Sequence, residues 1–266
     1  MKIGIPGAAG RMGQALIRQV TATEGCTVAA ATEVPEHPAL GRDCGALAGI
    51  EPLGVAVGDD PQAMFRAADA VLDFTLPGAA AGHAELAAAE GTMLIIGTTG
   101  LGADEQAALE AAAAQTAVVQ APNMSLAVNL LFRLTEQVAG LLDDDYDIEI
   151  VEMHHRHKID APSGTALGLG RAAAHARGVA FDEVAARGRD GVTGARPRGE
   201  IGFAALRGGD VIGEHSVIFA ADGERLELAV RSSNRQTYAR GAVQAARWAE
   251  GRGPGLYTMA DVLGLD

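Results

Sequence analysis

The sequence has few cysteines and few aromatic residues. Only 2 of its 266 residues are cysteine, and Cys26 and Cys44 have neither CxxC nor zinc-type spacing. This count excludes a disulfide framework and favours a reducing compartment, so we expect a cytoplasmic protein. Aromatic residues make up 4% of the chain, whereas hydrophobic residues make up 48%. We therefore expect a core that is packed mainly with aliphatic side chains.

Long apolar segments and an excess of positive charge are also missing. Apolar runs such as 92–96 are far shorter than the roughly 20 residues that cross a bilayer. The opening MKIGIPG enters a predicted strand with no apolar leader before it. The formal net charge of -13 repels nucleic acid phosphates and anionic lipid headgroups. We therefore expect neither nucleic acid nor a membrane as a partner.

Short β-branched runs alternate with Ala-rich helical segments in the first half of the chain. The pattern predicts strands at 2–5, 27–31, 70–74, 92–96 and 117–119, and helices at 11–22, 61–68, 79–89 and 104–115, the last capped by Asp104. Strands that are apolar on both faces and are each followed by a helix indicate a parallel sheet covered on both sides. The fold class predicted here is α/β, with a Rossmann-type doubly wound sheet.

The pattern changes after the segment 121–123. It predicts helices at 126–142, 165–177 and 238–250, strands at 146–153, 200–206, 211–219 and 225–231, an irregular loop at 187–199 and a short capped turn from Thr258. Asp222 and Gly223 give a strong hairpin signal between the last two strands. The alternation of Leu226, Leu228 and Val230 predicts one buried face for the final strand. We therefore expect a second, α+β domain with a mixed open sheet.

A glycine-rich motif connects the first predicted strand to the first helix. It reads Gly7, Ala8, Ala9, Gly10, Arg11, Met12, Gly13. Glycines at such a turn let a pyrophosphate approach the N–H groups at the start of a helix, and Arg11 adds a cation there. Glu33 ends the second predicted strand, where an acid accepts hydrogen bonds from the adenosine ribose. The sequence predicts a dinucleotide site, with a strand-to-helix turn without ligand as the alternative.

The residue after Glu33 bears on the choice of dinucleotide. Val34 stands where an NADP site usually has a cation for the 2′-phosphate, and a carboxylate alone repels that group. NADH is therefore the predicted preference over NADPH.

Three further loops follow predicted strands of the same sheet. They contain Asp73-Phe74-Thr75, Gly97-Thr98-Thr99-Gly100 and Ala121-Pro122-Asn123-Met124. Ligands of open α/β sheets bind beyond the carboxyl ends of the strands. We expect these loops to hold the nicotinamide end of the cofactor, although ordinary turns would have the same composition.

A second motif is a run of five residues that are or can become cationic. His154, His155, Arg156, His157 and Lys158 follow a predicted strand in a protein of net charge -13. Their mutual repulsion favours a bound anion at this place. The Ser163-Gly164-Thr165 segment then opens a helix, whose N–H groups and hydroxyls can hold a carboxylate. Two anion-binding devices close together predict a small substrate with two carboxylates.

Three other interpretations of the basic run remain open. The run could be a solvated basic loop, which is the simplest interpretation. It could also be a phosphate site without catalysis. The three imidazoles could also bind a metal, but Arg156 and Lys158 between them would repel a cation, so no metal is expected.

Together the motifs resemble those of the 4-hydroxy-tetrahydrodipicolinate (dihydrodipicolinate) reductase family. The resemblance covers essentially the whole chain, through GAAGRMG, VLDFT, GTTG, APNMS, EMHHRHKIDAPSGTA, IGFAALRGGDVIGEH and GLYTMADVLGL. It implies NAD(P)H-dependent reduction of a cyclic dicarboxylate in lysine and diaminopimelate biosynthesis. Another two-domain NAD-dependent amino-acid dehydrogenase, or a dinucleotide sensor without catalysis, is the alternative.

The resemblance also implies roles for particular residues. His154 would be the general acid/base and Lys158 the proton donor and electrostatic partner, while His155 and the Gly164-Thr165 turn would hold substrate carboxylates. The cofactor would contact Gly7, Ala8, Ala9, Gly10, Arg11, Met12, Glu33, Gly97, Thr98, Thr99, Ala121, Pro122, Asn123 and Met124. Val34 and Leu76 depart from family members that have an arginine for the NADP phosphates, which puts NADPH use in question.

The same resemblance implies the domain organisation. Residues 1–125, with 235–266 packing back onto them, would form the dinucleotide-binding domain. Residues 126–234 would form the substrate-binding and oligomerisation domain of a homotetramer.

Overall fold

The computed structural model describes residues 1–265, which form two compact units. The first unit contains Met1–Leu126 and the C-terminal segment from Arg235, and the second contains Ala127–Asn234. Within the described residues, no helix has the length and apolar character needed to cross a membrane.

Twelve strands and ten helices make up the described chain. The strands are β1 (Lys2–Pro6), β2 (Thr27–Thr32), β3 (Val57–Gly58), β4 (Ala70–Asp73), β5 (Met93–Ile96), β6 (Ala117–Gln120), β7 (Asp147–His154), β8 (Ala185–Ala186), β9 (Ile201–Arg207), β10 (Gly213–Ala221), β11 (Glu224–Ser232) and β12 (Gly255–Tyr257). The helices are α1 (Arg11–Thr21), α2 (Cys44–Leu47), α3 (Pro61–Ala67), α4 (Pro77–Glu90), α5 (Ala103–Ala113), α6 (Leu126–Leu141), α7 (Gly164–Ala176), α8 (Phe181–Val184), α9 (Gln236–Ala249) and α10 (Met259–Leu263).

The sheet of the first unit is parallel throughout and has the order β12-β6-β5-β4-β1-β2-β3. One face packs Ile3 and Ile5 with residues of α1 and α9, and the other packs Val71 and Leu94 with residues of α4 and α5. Strands that are covered on both faces need apolar side chains at nearly every position, which explains the continuous runs in the sequence. The predicted doubly wound parallel sheet is confirmed.

Local details of this unit differ from the prediction. Gly102, not Asp104, is the N-cap of α5, and the Glu105 carboxylate accepts a hydrogen bond from the Gly102 N–H at 2.8 Å. Asp104 lies in the first turn, where its charge still favours the helix. Three elements, α2, β3 and β12, were not predicted, because they are two to four residues long and show no periodicity.

The second unit has a mixed sheet with the order β11-β10-β7-β9-β8. β7 and β9 are parallel, whereas β10 is antiparallel to both β7 and β11. α7 packs on β7, β9 and β10, and the segment 187–199 contains neither helix nor strand. The predicted mixed sheet, irregular loop and Asp222-Gly223 hairpin are confirmed.

The prediction of a buried face on the final strand is wrong in part. Leu226 is 42% exposed, and Leu228 and Val230 are only partly buried. β11 lies at the edge of the sheet, whereas α7 packs on β7, β9 and β10. The side chains of β11 are therefore only partly covered by the core.

Candidate functional site

The cofactor residues predicted from the sequence lie in loops at one edge of the parallel sheet. The neighbouring strands β6, β5, β4, β1 and β2 run in the same direction, so the loops after them emerge side by side. The strand order reverses between β4 and β1, the point at which open α/β sheets bind ligands. The fold therefore aligns the Gly7 turn, Glu33, Gly97 and Ala121.

The glycine turn has the backbone geometry of an anion site. Gly7 has a φ of 65°, which glycine adopts without strain, and its carbonyl accepts the Gly10 N–H at 3.0 Å. A Cβ on Gly13 would lie 2.1 Å from the Gly7 oxygen, so α1 approaches this turn more closely than a side chain permits. Gly10 caps α1 without a side chain, which leaves the N–H groups of the first turn for a ligand.

The residues around this turn could hold the phosphate and ribose groups of a dinucleotide. Ala8 is buried and Met12 half-buried, while Arg11 is exposed beside the uncapped helix start. Glu33 reaches the same turn, since its Oε1 accepts the Ala9 N–H at 2.8 Å. Together, the uncapped helix and the adjacent carboxylate fit the pyrophosphate and ribose of a nicotinamide dinucleotide.

The loops after β5 and β6 are held by hydrogen bonds to neighbouring strands. The Gly97 N–H donates to the Asp73 carbonyl at 2.9 Å, and the Ala121 N–H donates to the Ile96 carbonyl at 3.1 Å. Buried Thr98 donates through Oγ1 to the Thr75 carbonyl at 3.2 Å, which joins two loops. The remaining predicted residues differ in exposure: Thr99 and Pro122 are exposed, Asn123 is half-buried and Met124 is buried.

His154 lies at the end of β7, on the buried face of the second sheet. Side chains alternate along this strand, so Ile148, Ile150, Glu152 and His154 all point toward the core. The His154 Nδ1 lies 2.6 Å from Glu152 Oε2, and only 9% of the residue is exposed. Burial lowers the pKa of His154, although the Glu152 carboxylate opposes that effect. One ring nitrogen is thus held, while the other, Nε2, has no protein partner in residues 1–265.

The buried carboxylate of Glu152 accepts hydrogen bonds from several neighbouring groups. The Arg207 guanidinium contacts both of its oxygens at 2.8 Å, and the Ser163 N–H donates to Oε1 at 3.0 Å. Burial opposes ionisation of Glu152, but the hydrogen bonds from Arg207 and His154 outweigh it and lower the pKa of the carboxyl. Glu152 is therefore ionised and can only accept hydrogen bonds.

His215 packs against His154 from the adjacent strand. It lies opposite Glu152 in the β7–β10 register, and the two imidazole rings meet edge to face with centroids 5.1 Å apart. Its Nε2 lies 3.0 Å from Ser163 Oγ, the hydroxyl that caps α7. Burial, reinforced by the neighbouring His154, lowers the pKa of His215 to about 4. His215 is thus neutral at physiological pH.

The basic run does not form one group of unpaired cations. His154 is paired with Glu152, and the Lys158 ammonium lies 2.8 Å from Asp160 Oδ1. Arg156 and His157 are exposed, while His155 is half-buried. The expectation of five mutually repelling cations is therefore wrong, because two of them have carboxylate partners nearby in the chain.

The helix that the sequence predicts after the Ser163-Gly164-Thr165 segment is present in the fold. α7 begins at Gly164, with Thr165 next, and Ser163 Oγ accepts the Ala166 N–H at 3.1 Å. The Ser163 N–H donates to Glu152, which ties this helix start to the strand that carries His154. No group of three or more potential metal ligands occurs in the described part of the chain.

Family models match both halves of the chain. The model described as dihydrodipicolinate reductase, N-terminus, covers residues 1–124, and the one described as dihydrodipicolinate reductase, C-terminus, covers residues 127–263. The chain belongs to the dihydrodipicolinate reductase family. The resemblance seen in the sequence motifs is thereby confirmed.

Relatives of this reductase match along its full length. The 4-hydroxy-tetrahydrodipicolinate reductase of Ruegeria pomeroyi is 56% identical over 99% of this chain and 98% of its own. That of Magnetococcus marinus is 52% identical over 100% of this chain and 99% of its own. Among solved structures, the dipicolinate-bound dihydrodipicolinate reductase of Paenisporosarcina sp. TG-14 has a TM-score of 0.78 at 24% identity, over 98% of each chain, and shares the fold.

The roles of three residues of the His154 cluster in this reductase were not predicted from the sequence. Glu152 had a usable signal, since residues two apart in a strand share a face. Arg207 and His215 lie within the quoted motif IGFAALRGGDVIGEH. Nothing in that motif shows that they reach His154, because they do so only through the pairing of β9 and β10 with β7.

Proposed function

We propose that this protein catalyses the NAD(P)H-dependent reduction of 4-hydroxy-tetrahydrodipicolinate to tetrahydrodipicolinate, a step of lysine and diaminopimelate biosynthesis. The buried His154, whose Nδ1 is fixed by an ionised glutamate, carries this proposal on the structural side. Relatives with that name at 52–56% identity support the same reaction. The dipicolinate held by the Paenisporosarcina enzyme is a cyclic dicarboxylate, the substrate class inferred from the basic motif.

The 4-hydroxy substrate loses water to give a conjugated cyclic imine, and the reduced nicotinamide, when bound, would supply a hydride to that ring. The residues that would hold it are the Gly7–Met12 turn, Glu33, the Gly97–Thr99 loop and the Ala121–Met124 loop. We propose NADH as the preferred form because Val34, beside Glu33, is an exposed apolar residue where a cation would be needed for the 2′-phosphate.

His154 acts as the general acid. Ionised Glu152 can only accept a hydrogen bond, so the His154 Nδ1 carries a hydrogen and Nε2 exchanges the catalytic proton. Burial lowers the pKa of His154, although the Glu152 charge opposes this effect. A lowered pKa means that the protonated imidazole gives up its proton readily. In this role Nε2 protonates the enamine that remains after hydride arrives.

The substrate carboxylates are held by the positive groups around His154. Lys158 supplies a mobile ammonium that exchanges Asp160 for a substrate carboxylate, stabilises the developing negative charge and assists protonation. His155 and the first N–H groups of α7, at Gly164 and Thr165, hold the carboxylates in a fixed orientation.

The two compact units take separate tasks in this proposal. Residues 1–125 with 235–266 form the dinucleotide-binding domain, and residues 126–234 form the substrate-binding and oligomerisation domain. We expect a cytoplasmic homotetramer, and size-exclusion chromatography with light scattering tests the oligomeric state.

The test of the proposed reaction is an NADH-oxidation assay. Purified protein receives NADH or NADPH and the freshly generated condensation product of pyruvate and aspartate semialdehyde. We expect cofactor oxidation that depends on both protein and cyclic substrate. Cofactor binding without oxidation would favour a sensor, and turnover only with an amino-acid substrate would favour another dehydrogenase; either result would overturn the proposal.

A further inference from the structure

Arg207 ends β9 and lies beside His154 in the parallel register of β9 with β7. We propose that Arg207 is a positioning residue, which clamps Glu152 and thereby sets both the orientation and the protonation of His154. This role rests on the proposed function of His154 as proton donor. In this role Arg207 acts on His154 through Glu152.

The hydrogen bonds of Glu152 leave it no freedom to rotate. Oε1 accepts from Arg207 Nη2 at 2.8 Å and from the Ser163 N–H at 3.0 Å. Oε2 accepts from Arg207 Nη1 at 2.8 Å and from His154 Nδ1 at 2.6 Å. Four bonds fill about as many lone-pair sites as a carboxylate offers. With Arg207 removed, one bond per oxygen would remain.

Arg207 is itself held from a second direction. Its Nη2 also donates to the Asp160 carbonyl at 2.6 Å. Asp160 is the partner of Lys158, so one guanidinium fixes both the carboxylate behind His154 and the backbone beside Lys158. A planar fork of donors suits this double contact, which a lysine ammonium could make only in part.

The charges around His154 explain why an arginine is needed behind the glutamate. Glu152 on its own strand contacts the ring, and Arg207 on β9 and Lys158 on the following loop act on it electrostatically. His215 on β10, which is neutral, packs against the ring edge to face. A buried carboxylate without a counter-ion would hold the imidazole in its charged form. Arg207 neutralises that carboxylate, so that His154 can both gain and release a proton at neutral pH.

The test is a measurement of the His154 pKa by NMR, in protein with isotope-labelled histidine and with His154→Gln to assign the signal. Arg207→Met removes the neutralising charge, so the His154 pKa is expected to rise. Glu152→Gln removes the attracting charge, so the same pKa is expected to fall. Shifts of opposite sign from two partners of one ion pair would not arise from a general loss of structure.

Two more variants complete the design. Arg207→Lys keeps the charge and is expected to bring the His154 pKa back toward the wild-type value. Arg187→Met removes an exposed arginine of the same unit, whose only ion-pair partner within residues 1–265 is Asp182. This variant should leave the His154 pKa unchanged. Should Arg207→Met fail to fold, Arg207→Gln removes the charge but retains hydrogen-bond donors. An unchanged or lowered His154 pKa in the folded variant would overturn the proposal.

The kinetic readout separates this role from the proposed reaction. If the wild-type enzyme reduces the cyclic substrate, the limb of the pH profile of kcat/KM should move with the NMR pKa in each variant. If the wild-type enzyme is active but the His154 pKa is the same in wild type and Arg207→Met, only the positioning role is contradicted. Opposite NMR shifts in a protein that does not oxidise NADH would contradict only the reaction.

Discussion

Asp73 and His83 form a buried pair in the first unit, with 2.7 Å between Asp73 Oδ2 and His83 Nδ1. The other carboxylate oxygen, Oδ1, accepts from the Thr75 N–H at 2.8 Å and from Thr75 Oγ1 at 2.6 Å. The Thr75 carbonyl in turn accepts from Thr98 Oγ1 at 3.2 Å. This pair therefore fixes the loops after β4 and β5, where the nicotinamide end of the cofactor is proposed to bind.

We predict that His83→Ala lowers the free energy of unfolding by about 1.5–3 kcal/mol, the usual contribution of a hydrogen bond to a charged group. Urea denaturation at neutral pH measures this loss. Arg66→Ala is the matched control, because it breaks an exposed pair with Glu90 and should cost less than about 1 kcal/mol. Equal losses in the two variants would contradict the structural role of the Asp73–His83 pair.

Much of the first unit could be predicted because each long element carries its own signal. Apolar runs such as Leu94–Ile96 are buried on both faces, and their neighbouring helices have Ala-rich faces that fit against them. The strand order, in contrast, depends on contacts between distant segments. β12 joins the sheet beside β6 at the far end of the chain, and its three residues show no periodicity of their own.

The candidate site divides in the same way. The glycine turn and the basic run are local, so the sequence shows them directly. The partners of His154 are not local: Arg207 and His215 arrive through strand register, and which cations are neutralised depends on that packing. The exposure of a strand residue such as Leu226 also cannot be predicted from the alternation pattern, because it depends on where the sheet ends.

We predict that Gly13→Ala weakens NADH binding strongly. The new Cβ would lie 2.1 Å from the Gly7 oxygen, so the turn that is proposed to face the pyrophosphate must open. The control is Gly82→Ala on α4, where a Cβ meets no atom of the described chain within 4 Å and helix propensity should add about 1 kcal/mol of stability. Fluorescence titration with NADH compares the two variants. A wild-type dissociation constant for Gly13→Ala would contradict the proposed approach of the cofactor.

We predict a higher kcat/KM with NADH than with NADPH, and a change of that preference in Val34→Arg. Val34 is 64% exposed beside Glu33, so an arginine there can reach a 2′-phosphate without displacing the core. One charge-assisted hydrogen bond of about 1.5 kcal/mol corresponds to roughly tenfold in kcat/KM with NADPH. Parallel steady-state assays with both cofactors measure this. A wild-type preference for NADPH would show that the account of Glu33 and Val34 is wrong.

We predict that Lys158→Ala raises the KM for the cyclic substrate and lowers kcat, because the same ammonium is proposed to hold a carboxylate and to stabilise charge during hydride transfer. Asp160→Asn releases Lys158 from its partner and should leave kcat within a few-fold of wild type. Steady-state kinetics at saturating NADH distinguish the two variants. A loss confined to KM in Lys158→Ala would limit that residue to substrate binding.

The most direct test of the account is the kcat of His154→Ala with saturating NADH and cyclic dicarboxylate. Loss of the positioned acid should lower kcat by about 10²–10⁴-fold, while the folded state and the dissociation constant for NADH remain those of the wild-type protein. A kcat within a few-fold of wild type would show that His154 is not the proton donor.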